Sequence, residues 1–138
     1  ADLLRGPRPW VEKARFLGYA AYTCVDHRER LFDLLADAGS SLDLGPADAL
    51  SRCAGFRSGL RRVRNHTRGS GSEYLDEAVE LLRPYRFALV FENKLVPGYV
   101  TEKIVNAFLA GCIPIYWGSR AVLDMFNPQA FVYANEIQ

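Results

Sequence analysis

Two positively charged side chains stand where the helix dipole disfavours them. Arg28 follows the apolar segment 15–23 and falls in the first turn of a predicted helix, and Lys103 has the same relation to the apolar segment 86–91. A cation at a helix N-terminus is disfavoured by several tenths of a kcal/mol, whereas a bound polyanion reverses that sign. Each residue alone is compatible with a surface charge, but together Arg28 and Lys103 predict a diphosphate clamp.

Further polar side chains accompany Lys103. Asn93, Tyr99 and Glu102 all follow the segment 86–91 within eleven residues. Glu102 is also a residue type that suits the first turn of a helix for purely structural reasons. In open parallel sheets, ligands bind beyond the carboxyl ends of the strands, beside helix N-termini. We therefore expect a ligand site at this strand–helix junction.

The elements needed to position these residues can be assigned from hydrophobic patterns. The patterns predict an entry linker and short helix over 1–14 and a single α/β domain over 15–138. Predicted strands are 15–23, 41–44, 86–91, 113–117 and 131–133; predicted helices run from Asp26 as N-cap to Gly39, from Ser72 to Pro84–Tyr85, from Thr101 to Gly111, and briefly after Gly118-Ser119. Alternating strands and helices predict a Rossmann-like parallel sheet with helices on both faces.

Composition narrows the class of protein. The chain has 138 residues, 49% hydrophobic residues and a net charge of +1. These values describe one globular domain and argue against general nucleic-acid or membrane-surface binding. The region 46–71 is predicted to be a loop, and its arginines are either a solvated basic surface or a contact for phosphate or an acidic partner. They are Arg52, Arg57, Arg61, Arg62, Arg64 and Arg68.

Other types of site are excluded or disfavoured by the sequence. It contains no GxxxxGK[ST], GxGxxG, GxSxG or DxD motif, and no apolar run of membrane-spanning length. The three cysteines are widely spaced, which predicts no metal set, and Cys24 and Cys112 are expected to be buried thiols. His27 is interpreted as a surface or capping residue, whereas Tyr116 and Trp117 either line the ligand cleft or pack in the core.

Residues 91–119, FENKLVPGYVTEKIVNAFLAGCIPIYWGS, resemble the α1,3/4-fucosyltransferases, a family built around FEN…[DG]Y[VI]TEK. The GYVTEKI form is more similar to microbial members than to vertebrate ones. Weaker similarity extends upstream to Arg28-x-x-x-Phe32 and Arg52-Cys53, so the resemblance covers roughly Arg15 to the end.

The resemblance implies a transferase that uses GDP-fucose, inverts the sugar's anomeric configuration and needs no metal or other cofactor. It implies one half of a two-domain GT-B architecture and fucose transfer to a GlcNAc-type glycan acceptor. By analogy Arg28 and Lys103 hold the diphosphate and Glu102 the ribose hydroxyls, while Asn93 and Tyr99 complete the donor contacts.

The same resemblance places the acceptor-binding domain, and the carboxylate that acts as general base, before Ala1. We therefore expect no catalytic residue in this chain, which would bind GDP-fucose without transferring it. The parent protein would be membrane-associated, in the Golgi lumen if eukaryotic or at the cytoplasmic side if bacterial. Two alternatives remain open: a GT-B transferase for another nucleotide sugar, and a non-catalytic GDP-sugar-binding or interaction module.

Overall fold

A computed structural model describes residues 13–21, 23–56 and 78–136 of the chain. Its centre is one sheet of five parallel strands in the order β2-β1-β3-β4-β5. The strands are β1 Arg15–Tyr19, β2 Ala47–Ala49, β3 Tyr85–Phe91, β4 Ile113–Trp117 and β5 Val132–Tyr133. The helices are α1 Asp26–Ser41, α2 Lys103–Leu109 and α3 Val122–Met125, with helical residues at 78–82 and a 3-10 turn at Ala134–Glu136.

The sheet is covered on both faces, as the sequence predicts. Successive residues of β3 belong to different apolar clusters: Ala88 and Val90 pack on one face, Leu89 and Phe91 on the other. Buried side chains of α2, α3 and the helical residues 78–82 join the first cluster, and Phe32 of α1 joins the second. A strand segment buried on both faces must be apolar, which explains the hydrophobic run 87–91 in β3.

The strand order defines where a ligand would bind. After β1 the chain goes to β2 on one side, whereas β3, β4 and β5 extend from β1 in the other direction. In doubly wound sheets of this order, the crevice lies at the carboxyl ends of β1 and β3. The segments that follow those two strands lead to Arg28 and Lys103, respectively.

The first helix differs from its prediction at both ends. Its N-cap is Val25 rather than Asp26, and no side chain caps it. It also continues past Gly39 to Ser41. A Cβ at Gly39 would lie 2.4 Å from the Phe16 ring, so this glycine permits close packing of α1 on β1 and does not end the helix.

The region after α1 corrects two further predictions. The strand predicted at 41–44 is absent there, because α1 extends to Ser41 and residues 42–43 form a turn in which Asp43 has a φ of 56°. The second strand is Ala47–Ala49, inside the predicted loop 46–71. The predicted helix 72–85 is helical at 78–82, but Tyr85 begins β3. Residues 1–12, which include most of the predicted entry linker, and 57–77, which include most of the arginine cluster, lie outside the described residues.

The C-terminal half follows its prediction closely. Gly111 has a φ of 76° just beyond α2 and acts as the predicted C-terminal stop. Ile104 is buried, but Val105 and Leu109 are exposed, because Ala107 and Ala110 provide the packed side of α2 instead. No helix in the described part of the chain is long and apolar enough to cross a membrane.

The cysteines correct another prediction. Cys24 is not a buried thiol: it is exposed and forms a disulfide with Cys53, across a sequence separation of 29. The bond joins the segment after β1 to the segment after β2, which are neighbouring strands. Cys112 is the predicted buried thiol, and burial raises its pKa to about 11.

Candidate functional site

Arg28 is buried and connects three segments at the carboxyl edge of the sheet. Its side chain donates from Nη1 to the carbonyl of Phe91 (2.5 Å) and from Nη2 to the carbonyl of Thr23 and to Oδ1 of Asn93 (3.3 Å). The residue is 2% exposed, and its Nε has no hydrogen-bond partner in the described part of the chain. The guanidinium forms no ion pair with any described carboxylate, and the acceptors of its hydrogen bonds are neutral groups.

Lys103, the first residue of α2, lies close to the same stretch of chain. Its ammonium nitrogen is 3.7 Å from Oε1 of Glu92 and 3.3 Å from the hydroxyl of Thr101. The side chain keeps a third of its surface exposed (33%). Arg28 and Lys103 therefore do not touch each other, but they contact the three consecutive residues 91–93 at the end of β3.

The carboxylate of Glu92 organises the loop that follows β3. It is fully buried (0% exposed) and accepts hydrogen bonds from the backbone N–H of Thr101 (2.8 Å), the hydroxyl of Thr101 (2.7 Å) and the hydroxyl of Tyr116 (3.1 Å). A buried carboxylate is stable only when such donors replace water. Glu92 thus ties the start of the loop to Thr101, two residues before α2.

A second contact holds the loop near its middle. The buried hydroxyl of Ser119 accepts the backbone N–H of Gly98 at 2.8 Å, which links the loop to the segment after β4. Gly98 has a φ of 80°, a conformation that favours glycine, and a Cβ there would meet no atom within 4 Å. This glycine is therefore required by the turn and not by crowding.

The two remaining predicted residues differ in exposure. The ring of Tyr99 is half-buried. The ammonium of Lys94 lies over this ring, 4.9 Å from its centre, in a cation–π contact. Glu102 is exposed at the N-cap of α2, and its carboxylate forms no hydrogen bond within the described residues. Glu102 is therefore accessible to a ligand at this edge of the sheet, whereas Tyr99 is accessible only in part.

An aromatic cavity of about 420 Å³ opens on the α1 side of the sheet. The ring of His27 lies 4.4 Å from that of Trp117, which also stacks on Phe91. Burial and the neighbouring Arg28 charge lower the pKa of His27 below its ordinary value of 6.5. Trp117 therefore lines a cavity, whereas Tyr116 is fully buried in the core.

One cluster of metal-ligating residue types occurs in the described part of the chain: Cys24, Glu29 and Cys53. Its two sulfurs are bonded to each other, and Glu29 accepts the backbone N–H of Gly55 at 2.7 Å. Asp33 likewise accepts the backbone N–H of Phe56 at 2.9 Å. This cluster fastens the segment after β2 to α1 and offers no pair of free thiolates.

The structure brings together Arg28, Asn93 and Lys103 around the end of β3, with Tyr99 and Glu102 on the connecting loop and helix start. Sequence reasoning missed the roles of Thr101 and Ser119. Glu92 is structural by the family resemblance, and a signal for this is present in the residues too, because an acidic residue at the end of an apolar run needs buried donors. Its partners could be found only from the three-dimensional contacts.

A parallel sheet of this order, with cations beside its crevice, defines a domain suited to a nucleotide-diphosphate ligand. Comparison with known proteins makes the class specific. Residues 61–138 match the model of "Glycosyltransferase family 10 (fucosyltransferase) C-term". The chain belongs to this fucosyltransferase family, which confirms the resemblance seen in residues 91–119.

Individual relatives agree with the family match. The chain is 49% identical over 59 residues to an alpha-(1,3)-fucosyltransferase of Helicobacter pylori, covering 43% of this chain and 12% of the relative. It is 30% identical over 122 residues to an alpha-(1,4)-fucosyltransferase of Arabidopsis thaliana, covering 83% and 28%. A crystal structure of an alpha1,3-fucosyltransferase with GDP-fucose superposes with a TM-score of 0.59 and 32% identity, covering 88% and 30%. The chain thus spans less than a third of each of these relatives.

Proposed function

We propose that this chain is the donor-binding domain of an α1,3-fucosyltransferase and binds GDP-fucose for transfer to a GlcNAc-type glycan. The observation that carries the proposal is the buried guanidinium of Arg28, which has no ion pair among the described residues. At the β1–β3 crevice it donates to Phe91 and Asn93, on either side of Glu92, the residue that Lys103 contacts. The family match supports the choice of ligand, as does the similarity to an alpha1,3-fucosyltransferase that was crystallised with GDP-fucose.

Charge balance favours an anion beside Arg28. A buried ion costs several kcal/mol unless it is paired or fully hydrogen-bonded, and here Nε has no partner within the described residues. A diphosphate beside the guanidinium would supply the missing negative charge, and an acceptor for the Nη1 hydrogen that Phe91 leaves unpaired. Lys103 would provide a second cation beside Glu92, where a third of its side chain is accessible.

The remaining polar groups suit the rest of the donor. Glu102 has an exposed carboxylate with no hydrogen bond to another described residue, so it is free to accept two ribose hydroxyls. Asn93 and Tyr99 lie on the loop between the two cations and would complete the contacts with the nucleotide sugar.

The proposed chemistry inverts the anomeric carbon. An acceptor hydroxyl attacks C1 of fucose on the face opposite GDP, and the C1–oxygen bond to the diphosphate breaks as the new glycosidic bond forms. Negative charge then grows on the GDP leaving group, where Arg28 and Lys103 would stabilise it. These two cations can neutralise the charge that a metal ion neutralises in other transferases, and the sequence contains no DxD pair.

The base that takes the proton from the acceptor is proposed to come from a second domain, in a GT-B arrangement. The chain covers 30% of the similar crystal structure, which leaves room for such a domain in that relative. Within the described residues, Glu92 is the carboxylate at the end of β3, but its burial and its three hydrogen bonds exclude it as a base for a large acceptor. The function proposed for this chain itself is therefore donor binding.

Isothermal titration of the 138-residue chain with GDP, GDP-fucose and UDP tests the proposal. We expect GDP and GDP-fucose to bind with similar affinity and UDP at least tenfold more weakly. Lys103→Ala should weaken GDP binding by roughly tenfold or more, the effect of losing one charged hydrogen bond. Arg28→Lys keeps the charge but loses the fork of donors, so it should weaken binding by a similar factor.

Arg83→Lys is the matched control, because Arg83 pairs with Glu80 ahead of β3, at the opposite end of that strand from Asn93. Its GDP affinity should equal that of the wild type. Equal affinity for UDP and GDP would instead favour a transferase for another nucleotide sugar. If neither Lys103→Ala nor Arg28→Lys changes GDP affinity, the proposed site is wrong.

A further inference from the structure

Glu92 occupies a position where an acidic side chain is costly. Its backbone N–H donates to the carbonyl of Trp117 at 2.9 Å, which extends the pairing of β3 with β4 by one residue. Its side chain is 0% exposed. A neutral residue would continue the apolar strand at less cost, so the carboxylate must do something that an apolar side chain cannot.

Both carboxylate oxygens are used within one short segment. Oε1 accepts the hydroxyl of Thr101 and lies 3.7 Å from the ammonium of Lys103, while Oε2 accepts the backbone N–H of Thr101 and the hydroxyl of Tyr116. The hydroxyl of Thr101 in turn accepts from Lys103 at 3.3 Å. Glu92, Thr101 and Lys103 therefore form a closed triangle at the start of α2.

This triangle controls where the ammonium of Lys103 can be. At 3.7 Å its contact with Glu92 is an ion pair too long for a strong hydrogen bond, so most of the lysine's donors stay uncommitted. The lysine is attracted to one place without being neutralised by a tight salt bridge. A flexible four-carbon side chain would otherwise lose rotamer freedom on meeting an anion, and prior positioning reduces that loss.

We propose that Glu92 is a positioning residue for the donor: through Thr101 it fixes the ammonium of Lys103 at the crevice and closes the loop that carries Asn93 and Tyr99. The inference rests on the proposed function, because Lys103 must first be a donor-binding residue. Glu92 itself touches no ligand and moves no proton. Its effect on binding is indirect and should disappear when Lys103 is removed.

A double-mutant cycle distinguishes this role from a purely structural one. GDP affinity is measured by titration calorimetry for the wild type, Glu92→Gln, Lys103→Ala and the double variant. Glutamine keeps the size and an acceptor oxygen but removes the charge. We expect Glu92→Gln to weaken GDP binding roughly tenfold in the wild type and less than about twofold in the Lys103→Ala background.

Two more variants test whether a loss of affinity in this cycle comes from the lost contact or from misfolding. Thr101→Val keeps the shape of residue 101 but removes the hydroxyl that joins Glu92 to Lys103, and should weaken GDP binding about threefold only when Lys103 is present. Glu80→Gln is the matched control: it neutralises an exposed glutamate paired with Arg83 ahead of β3, and GDP affinity should be unchanged. Thermal unfolding identifies any variant that does not fold.

The outcomes separate the two proposals. If the wild type does not bind GDP, or Lys103→Ala binds as tightly as the wild type, the proposed function fails and this inference fails with it. If Lys103→Ala weakens binding but Glu92→Gln has no effect, or the same effect in both backgrounds, only the positioning role is overturned. In the case that Glu92→Gln does not fold, the dependence of Thr101→Val on Lys103 decides the matter.

Discussion

Arg28 and Lys103 have the same signature in the sequence but very different surroundings in the structure. Each is a cation in the first turn of a helix that follows a parallel strand. Arg28 is 2% exposed and bonded to two main-chain carbonyls and Asn93, whereas the side chain of Lys103 is 33% exposed and lies beside a carboxylate. One cation is built into the fold, and the other is held at its surface.

The difference follows from the chemistry of the two side chains. A guanidinium offers five donors in a fixed plane and can join several backbone segments, whereas an ammonium is a compact charge on a flexible stem. The contrast teaches that Arg28 should contribute to both folding and binding. Lys103 should contribute to binding alone.

The largest expected effect concerns the disulfide that anchors the Arg28 end. Cys24 adjoins Thr23, whose carbonyl accepts from Arg28, and its bond to Cys53 spans 29 residues. Replacing both cysteines by serine should lower the free energy of unfolding by about 3.6 kcal/mol, as loop-closure entropy predicts. Urea unfolding measures this loss, and hydrogen exchange should accelerate in the first turn of α1 but not in α2. Equal acceleration of hydrogen exchange in α1 and α2 would contradict the prediction that the disulfide stabilises mainly the Arg28 end of the site.

A smaller effect comes from removing each charge in turn. Arg28→Met leaves the carbonyls of Thr23 and Phe91 without their donor and should cost about 2 kcal/mol of stability. Lys103→Met removes only a partly exposed, long ion pair and should cost under about 0.5 kcal/mol. Urea unfolding of the two variants without ligand compares them directly. Equal losses would show that the two cations are equally structural.

The smallest expected effect is a change in the pKa of His27, the residue next to Arg28. Burial and the Arg28 charge lower the pKa of His27, so the unfolded chain binds more protons and stability falls as the pH drops through 6.5. In Arg28→Met the pKa of His27 should rise, whereas Lys103→Met should leave it unchanged. A proton NMR titration measures both, with a His66→Gln background to assign the signal. If the pKa of His27 is unchanged in Arg28→Met, the charge of Arg28 does not influence His27 and the prediction is wrong.

Much of this architecture can be predicted from local patterns. Three features can be predicted because each depends on near neighbours in the sequence. They are the apolar run of β3, the glycine that ends α2, and Arg28, a cation at the helix terminus where the dipole disfavours positive charge. The five strands' parallel arrangement follows from their alternation with helices. For the same reason the β1–β3 edge could be expected to hold the site.

The features that escaped prediction depend on contacts between distant segments. Gly39 is predicted to end a helix, but its role is to make room for the ring of Phe16. Cys24 is predicted to be a free thiol, but the pairing of β2 with β1 brings it to Cys53, with which it forms a disulfide. The burial of Glu92 likewise depends on Tyr116, which is 24 residues away. Local chemistry identifies what a residue can do, but packing decides which partner it meets.

The state of the cysteines has a practical consequence. Cys24 and Cys53 are joined to each other, and the remaining thiol, Cys112, is buried with its pKa raised to about 11. Since thiolate is the reactive form, none of these three cysteines offers a fast-reacting thiol. Leu95 is 56% exposed on the loop between Asn93 and Tyr99. A Leu95→Cys variant could therefore be labelled selectively with a maleimide dye, and donor binding could be followed by fluorescence.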